Sequence, residues 1–149
     1  MLWIGFCALL KSMTPASYGD GSLRDVIGSV PLHHIRFIEE NCRDYFETPE
    51  HIFVHGGIRP HIDPAEEDRG RLQWTSLSLA EAHHSGRMVI CGHSSQRSGK
   101  IADLGHTLCL DTGITSGGWL SCVNLETFEF WQTTAAGVCS SGKLREALR

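Results

Sequence analysis

A chain of 149 residues, 41% hydrophobic and 20% charged, with a mean hydropathy of −0.13, has the balance of one folded domain. It is too short for two ordinary domains and too apolar for a disordered chain. Thirteen Lys and Arg against 17 Asp and Glu leave a net charge of −4, which sets nucleic acid and anionic membrane surfaces aside as expected partners.

In chain order, residues 1–10 are apolar but lack a preceding positive segment, and they are about half as long as the ~20 residues that span a bilayer. Leu2, Trp3, Ile4, Phe6, Ala8, Leu9 and Leu10 read as a buried helix, with a cleavable signal as the alternative. Ser12 to Gly21 is rich in turn formers and reads as a loop. From His33 to Phe46 the apolar residues Ile35, Ile38, Cys42, Tyr45 and Phe46 recur at three- and four-residue spacing. An amphipathic helix opening near Pro31 is expected there.

His51 to His55 is a short apolar run ending at Gly56-Gly57, and Met88 to Cys91 is another ending at Gly92-His93; both read as buried strands. Between them, Ile58 to Gly70 is a polar loop and Leu72 to Arg87 is helical or irregular. Thr107 to Asp111 forms a third strand. Trp119 to Leu125 and Phe128 to Gln132, two residues apart, form a hairpin. Residues 133–149 read as a fraying, flexible tail. Strands early and late with helices between them predict an α/β sandwich.

The six cysteines, Cys7, Cys42, Cys91, Cys109, Cys122 and Cys139, show no zinc-ribbon or redox spacing. An even count admits three disulfides. Four of the six lie in apolar runs, however, where a thiol packs as a small hydrophobe, so a reduced, cytoplasmic chain is expected. Nine histidines raise metal or phosphate chemistry above its usual frequency.

His55 and His93 stand in matching positions, each at the end of a short strand and beside glycine. Ligands of α/β sheets bind at the carboxyl ends of strands, glycine lets the backbone turn there without a Cβ, and neutral imidazole suits Zn, Fe or Mn. Each alone reads more readily as structural; the matched context makes the pair candidate metal ligands. Asp111-Thr112-Gly113 brings a carboxylate to the same expected rim, as a metal-side group or as the cap of its own turn.

These segments, in order, resemble the metallophosphatases of the serine/threonine protein phosphatase type, within the calcineurin-like phosphoesterases. Phe53-Val54-His55-Gly56-Gly57-Ile58-Arg59-Pro60 resembles the family's "VH-A/G-G-I-x-P", Leu72-Gln73-Trp74 its "LLW", and Val89-Ile90-Cys91-Gly92-His93-Ser94 its "VVxGHT". Leu110-Asp111-Thr112-Gly113 with Gly117-Gly118-Trp119-Leu120 resembles "LDTGAxxGGxL". Ser17-Tyr18-Gly19 with Pro31 and His34 resembles an upstream "SYG … P-x-x-H".

The resemblance implies a four-layer αββα sandwich, of which residues 1–132 would form a part with a strand-rich carboxyl-terminal region. It implies two divalent ions (Mn, Fe or Zn), whose bridging hydroxide attacks a phosphomonoester, carried by a phosphorylated protein or a small molecule, without a phosphoenzyme. His55 and His93 would be ligands of one ion, and Arg59 a phosphate contact, with a solvated loop arginine as its alternative. The family's "GDxHG", "GDxxDRG" and "GNHE" motifs, which supply the remaining ligands and the general-acid histidine, have no counterpart in order here. Glu67-Asp68-Arg69-Gly70 and Tyr18-Gly19-Asp20-Gly21 mimic parts of them out of place. The expectation is therefore the carboxyl-terminal half of a phosphatase, with weak metal binding and little or no turnover alone. Hydrolysis of dinucleoside polyphosphates, and a non-catalytic binding module, are the competing expectations.

Overall fold

The computed structural model describes Tyr18 and residues 28–145. The helix expected within residues 1–10 and most of the loop after it lie outside the described residues, as does the end of the tail. The chain divides into two compact units, Met1–Arg43 and Asp44–Arg149.

In the first unit, α1 spans Leu32–Asn41, with Pro31 as its N-cap in extended conformation. Proline suits that position, where no intrahelical N–H partner is lost. The helix is shorter than its apolar spacing predicts. Cys42 is already extended and closes the helix through its N–H to the carbonyl of Ile38. Tyr45 and Phe46, which fit the same helical stripe, instead enter β1 (Tyr45–Glu47) of the second unit. Aromatic residues fit a pleated surface as well as a helix, and the strand partner decides. Near the start of the helix, Tyr18 Oη lies 3.0 Å from His34 Nδ1.

The second unit is mixed α/β, with two sheets and little helix. After β1 come β2 (His51–Val54), α2 (Arg69–Trp74), β3 (Met88–Cys91), β4 (Ala102–Asp103) and β5 (Thr107–Cys109). They build a five-stranded sheet in the order β1-β2-β3-β5-β4, in which β2, β3 and β5 are parallel and the edges antiparallel. The second sheet is antiparallel, in the order β6 (Asp111–Thr112), β7 (Trp119–Val123), β8 (Glu129–Thr134), β9 (Cys139–Lys143). The run expected as one strand from Thr107 to Asp111 breaks at Leu110, so that one stretch of chain serves both sheets.

Alternation along the strands sorts the core into two layers. Ile52, Val54, Val89, Cys91 and Cys109 face Ile58 and Leu72, which come from the loop after β2 and from α2. From the opposite face, Ile90 and Leu108 meet Val123 and Phe130 of the second sheet. Leu120 and Trp131, on the far side of that sheet, are exposed.

Two expectations change in the carboxyl-terminal third. The hairpin has no two-residue turn: Asn124 to Phe128 form the connection, Asn124 Oδ1 accepts the N–H groups of Glu126 and Thr127, and Phe128 takes a positive φ. The expected fraying tail is ordered as β9, paired with β8 over five registered positions from Cys139 to Lys143. Leu144 and Arg145 are tied down as well: the Leu144 N–H donates to the Phe128 carbonyl, and the Arg145 guanidinium lies over the Phe128 ring and beside Asp103. Among the described residues no helix is long and apolar enough to cross a membrane.

Candidate metal and phosphate site

Because β2 and β3 run parallel, with His51 opposite Met88 and Phe53 opposite Ile90, their carboxyl ends emerge at one edge of the sheet. His55 follows β2 by one residue and His93 follows β3 by two. Their ring centroids stand 5.3 Å apart at an interplanar angle of 62°. The backbone locks the two strand ends together, since the Gly92 N–H donates to the His55 carbonyl at 2.9 Å. Trp74, the last residue of α2, packs against His93 in a T-shaped arrangement with 5.1 Å between centroids.

His93 has a φ of 60°, a conformation that costs a non-glycine residue about 1–2 kcal/mol. The N–H of Ser94 reaches back to the carbonyl of Gly92, closing a tight three-residue turn around His93. Several contacts hold the turn. Ser94 Oγ accepts the Leu77 N–H at 2.8 Å, the Gln96 side-chain amide donates to the Ser94 carbonyl, and the Cys109 thiol donates to the Gly92 and Ser94 carbonyls at 3.4 and 3.5 Å.

The two imidazoles suit a shared divalent ion in spacing, and His55 suits it in protonation as well. Two rings bound at about 2.1 Å to one tetrahedral ion hold their centroids about 5 Å apart. His55 is pushed below its ordinary value of 6.5, first by partial burial and then by the nearby His93, with Asp111 acting against both. A lowered value keeps the ring neutral near pH 7, which is the ligand form. No third His, Cys, Asp or Glu completes a group around them among the described residues.

Asp111 is close enough to act on His55 electrostatically, yet its Oδ1 accepts the Gly113 N–H at 3.1 Å. Of its two anticipated roles, the turn cap is the one with a hydrogen bond. Arg59 is engaged as well: Nε and Nη2 donate to both carboxylate oxygens of Glu67, the latter at 2.8 Å. Glu67 also accepts the backbone N–H groups of Arg59 and Asp68, and its side chain is fully buried. Burial pushes its carboxyl upward, but the hydrogen bonds from Arg59 and the two N–H groups outweigh that and hold it at about 2. The Arg59 side chain remains 40% exposed.

Sequence reasoning overlooked Glu67 and Asp68. The stretch Glu67-Asp68-Arg69-Gly70, taken as incidental, contains the carboxylate that fixes the loop after β2 and the N-cap of α2, whose side chain accepts the Arg71 N–H. The signal was Asp immediately before a short run with helical spacing. Beside His93 a groove of about 760 Å³ opens, walled by Ser76, Ser78, Ser94, Ser95 and Gln96 with Leu104 at its side. Its serines carry no spacing motif, and two loops far apart in sequence bring them together.

No protein-family model matches the chain, and no curated protein matches it.

Proposed function

We propose that this chain belongs to the serine/threonine protein phosphatase type of metallophosphatase, and that His55 and His93 together hold one divalent ion. The observation that carries the reading is the pair of imidazoles at the ends of adjacent parallel strands, 5.3 Å apart, on segments whose order and spelling resemble that family. The two packed sheets, with the short α2 against one of them, support the reading as far as mixed α/β layering goes.

A divalent ion bound between these rings supplies Lewis acidity toward water and phosphoryl oxygen. The chain's own residues have simpler tasks. His55 and His93 offer ring nitrogens, Trp74 and the Ser94 and Cys109 hydrogen bonds keep His93 in its strained turn, and Asp111 sets a negative charge near His55. Substrate has room in the groove beside His93, whose hydroxyl and amide groups can hydrogen-bond to a phosphoester and its neighbours. The groove lining includes no Lys or Arg among the described residues. That favours a phosphomonoester on a neutral segment of a phosphorylated protein over a dinucleoside polyphosphate, whose chain of charges calls for cationic partners. Arg59 is a phosphate contact only if its exposed guanidinium edge is used while Glu67 holds the other.

The test is turnover of p-nitrophenyl phosphate by the full chain with added Mn²⁺, beside His55→Ala and His93→Ala. The reading predicts slow turnover that requires Mn²⁺ and falls by about 100-fold or more in either variant, the loss typical when a required group is removed from a site. Turnover that persists with a chelator, or that stays at the wild-type rate in either variant, contradicts it.

A further inference from the structure

Cys91 and Cys109 occupy directly opposed positions on the parallel strands β3 and β5. Opposed residues of paired strands share a face, and both thiols lie in the same apolar cluster, 5% and 0% exposed. Neighbouring strands run about 4.8 Å apart, inside the window of about 4.4–6.8 Å between Cα atoms that a disulfide spans. The remaining described cysteines, Cys42, Cys122 and Cys139, are exposed, so this is the pair that the fold itself brings together.

Two further observations give the pairing a consequence. The Cys109 thiol donates to the carbonyls on either side of His93, those of Gly92 and Ser94, and His93 occupies a strained left-handed conformation. Cys91 lines a narrow cleft between the Gly56–Ile58 turn and the Thr75–Leu77 segment, with space of about 10 Å³, close to that of one water molecule. A peptide disulfide is excluded, and a hydroperoxide, somewhat larger than water, reaches Cys91 as the cleft widens.

We infer that Cys91 and Cys109 form an oxidative modification site, a buried dithiol that a small hydroperoxide converts to a disulfide, releasing the two thiol hydrogen bonds that help to hold the His93 turn. The step balances with hydrogen peroxide as the oxidant. One sulfur attacks a peroxide oxygen, forming an S–O bond as the O–O bond breaks and the first water leaves. The second sulfur then displaces that oxygen as the second water, forming the S–S bond. Two thiols lose two hydrogens and two electrons, and the peroxide is reduced to two waters. The disulfide has no S–H, so the Gly92 and Ser94 carbonyls lose their shared donor. This inference needs no metal and does not depend on the phosphatase reading.

The experiment treats the full chain with hydrogen peroxide, blocks the remaining thiols and maps a non-reducing digest by mass spectrometry. Amide NMR spectra are recorded in parallel before oxidation, after it and after dithiothreitol. The expected result is a peptide pair linked through Cys91 and Cys109, lighter by two hydrogens and separated by dithiothreitol, with reversible shifts of the His93 and Ser94 amides. A variant with Cys7, Cys42, Cys122 and Cys139 all replaced by serine gives the same link. Oxygen adducts on the two thiols separately, or links only to the exposed cysteines, overturn the inference. A Cys91–Cys109 link that leaves the His93 and Ser94 amides unmoved overturns the proposed control of the turn. Because the wild-type chain supplies the decisive map, the result does not rest on a core variant folding.

Discussion

Glu67 shows how much one side chain can organise. Its carboxylate takes three hydrogen bonds from Arg59 Nε and Nη2 and two from backbone N–H groups, so replacing it removes five hydrogen bonds at once. Glu67→Ala should cost roughly 2–3 kcal/mol, read as a lowered denaturant midpoint at neutral pH. The same group has a pH signature. Held at about 2 in the folded chain against an ordinary 4.5, it contributes stability that is fully present above pH 4.5 and is lost as the pH falls toward 2. Glu67→Gln should therefore flatten the fall in stability across that window; an unchanged acid profile would contradict the assignment. The placement of His55 and His93 at adjacent strand ends was legible from the glycines beside them. Glu67 was not, because a lone carboxylate in a polar loop has no periodicity to betray burial, and its partner Arg59 lies eight residues away.

Close approach between elements accounts for the glycine after His55. A Cβ on Gly56 would stand 2.8 Å from the backbone of Gln73 and of Thr75, and the Gly56 N–H donates to the Leu72 carbonyl at 2.6 Å. Backbone on both sides leaves no flexible atom to yield. Gly56→Ala should destabilise by about 1–3 kcal/mol, the range of overpacking, and shift the Trp74 contact with His93. Gly28→Ala, where a Cβ meets nothing within 4 Å, should stay within about 0.5 kcal/mol; equal losses in thermal melts of the two variants would contradict the packing argument. The strands at 51–54 and 88–91 were legible because short apolar runs bounded by glycine have few alternatives. Phe46 and Tyr45 were misplaced because a three-and-four spacing is also met by chance when a strand follows a helix. β9 was missed because Cys-Ser-Ser-Gly-Lys carries no apolar alternation; all five residues are exposed, and the backbone ladder to β8 defines the strand.

In the second unit, the second sheet is held by a polar seam across β6, β7 and β8 that reaches the loop before β4, as well as by apolar packing against the first sheet. Thr112 Oγ1, in a residue only 1% exposed, donates to the Trp119 carbonyl and pairs with Ser121 Oγ, both at 2.6 Å. The Gln132 amide bonds to the same Ser121 and to the Gly99 carbonyl. Thr112→Val keeps the shape and removes the hydroxyl, so it should cost about 1–3 kcal/mol in urea unfolding; a neutral substitution would show that the seam is not needed. An α/β class was readable from the order of runs. The division into a mixed sheet and an antiparallel sheet was not, because it turns on the break at Leu110 inside one apolar stretch. The site inherits its position from this layering: parallel strands deliver His55 and His93 to one edge, and the loops above that edge form the groove. The central claim is that these two imidazoles share one divalent ion, and paramagnetic broadening tests it most directly. In ¹H–¹⁵N spectra of the full chain titrated with Mn²⁺, the account predicts that resonances of His55, Gly56, Gly92 and His93 broaden first, and that the effect disappears from this edge in His55→Ala and His93→Ala. Broadening centred elsewhere, or unchanged by either substitution, would contradict it.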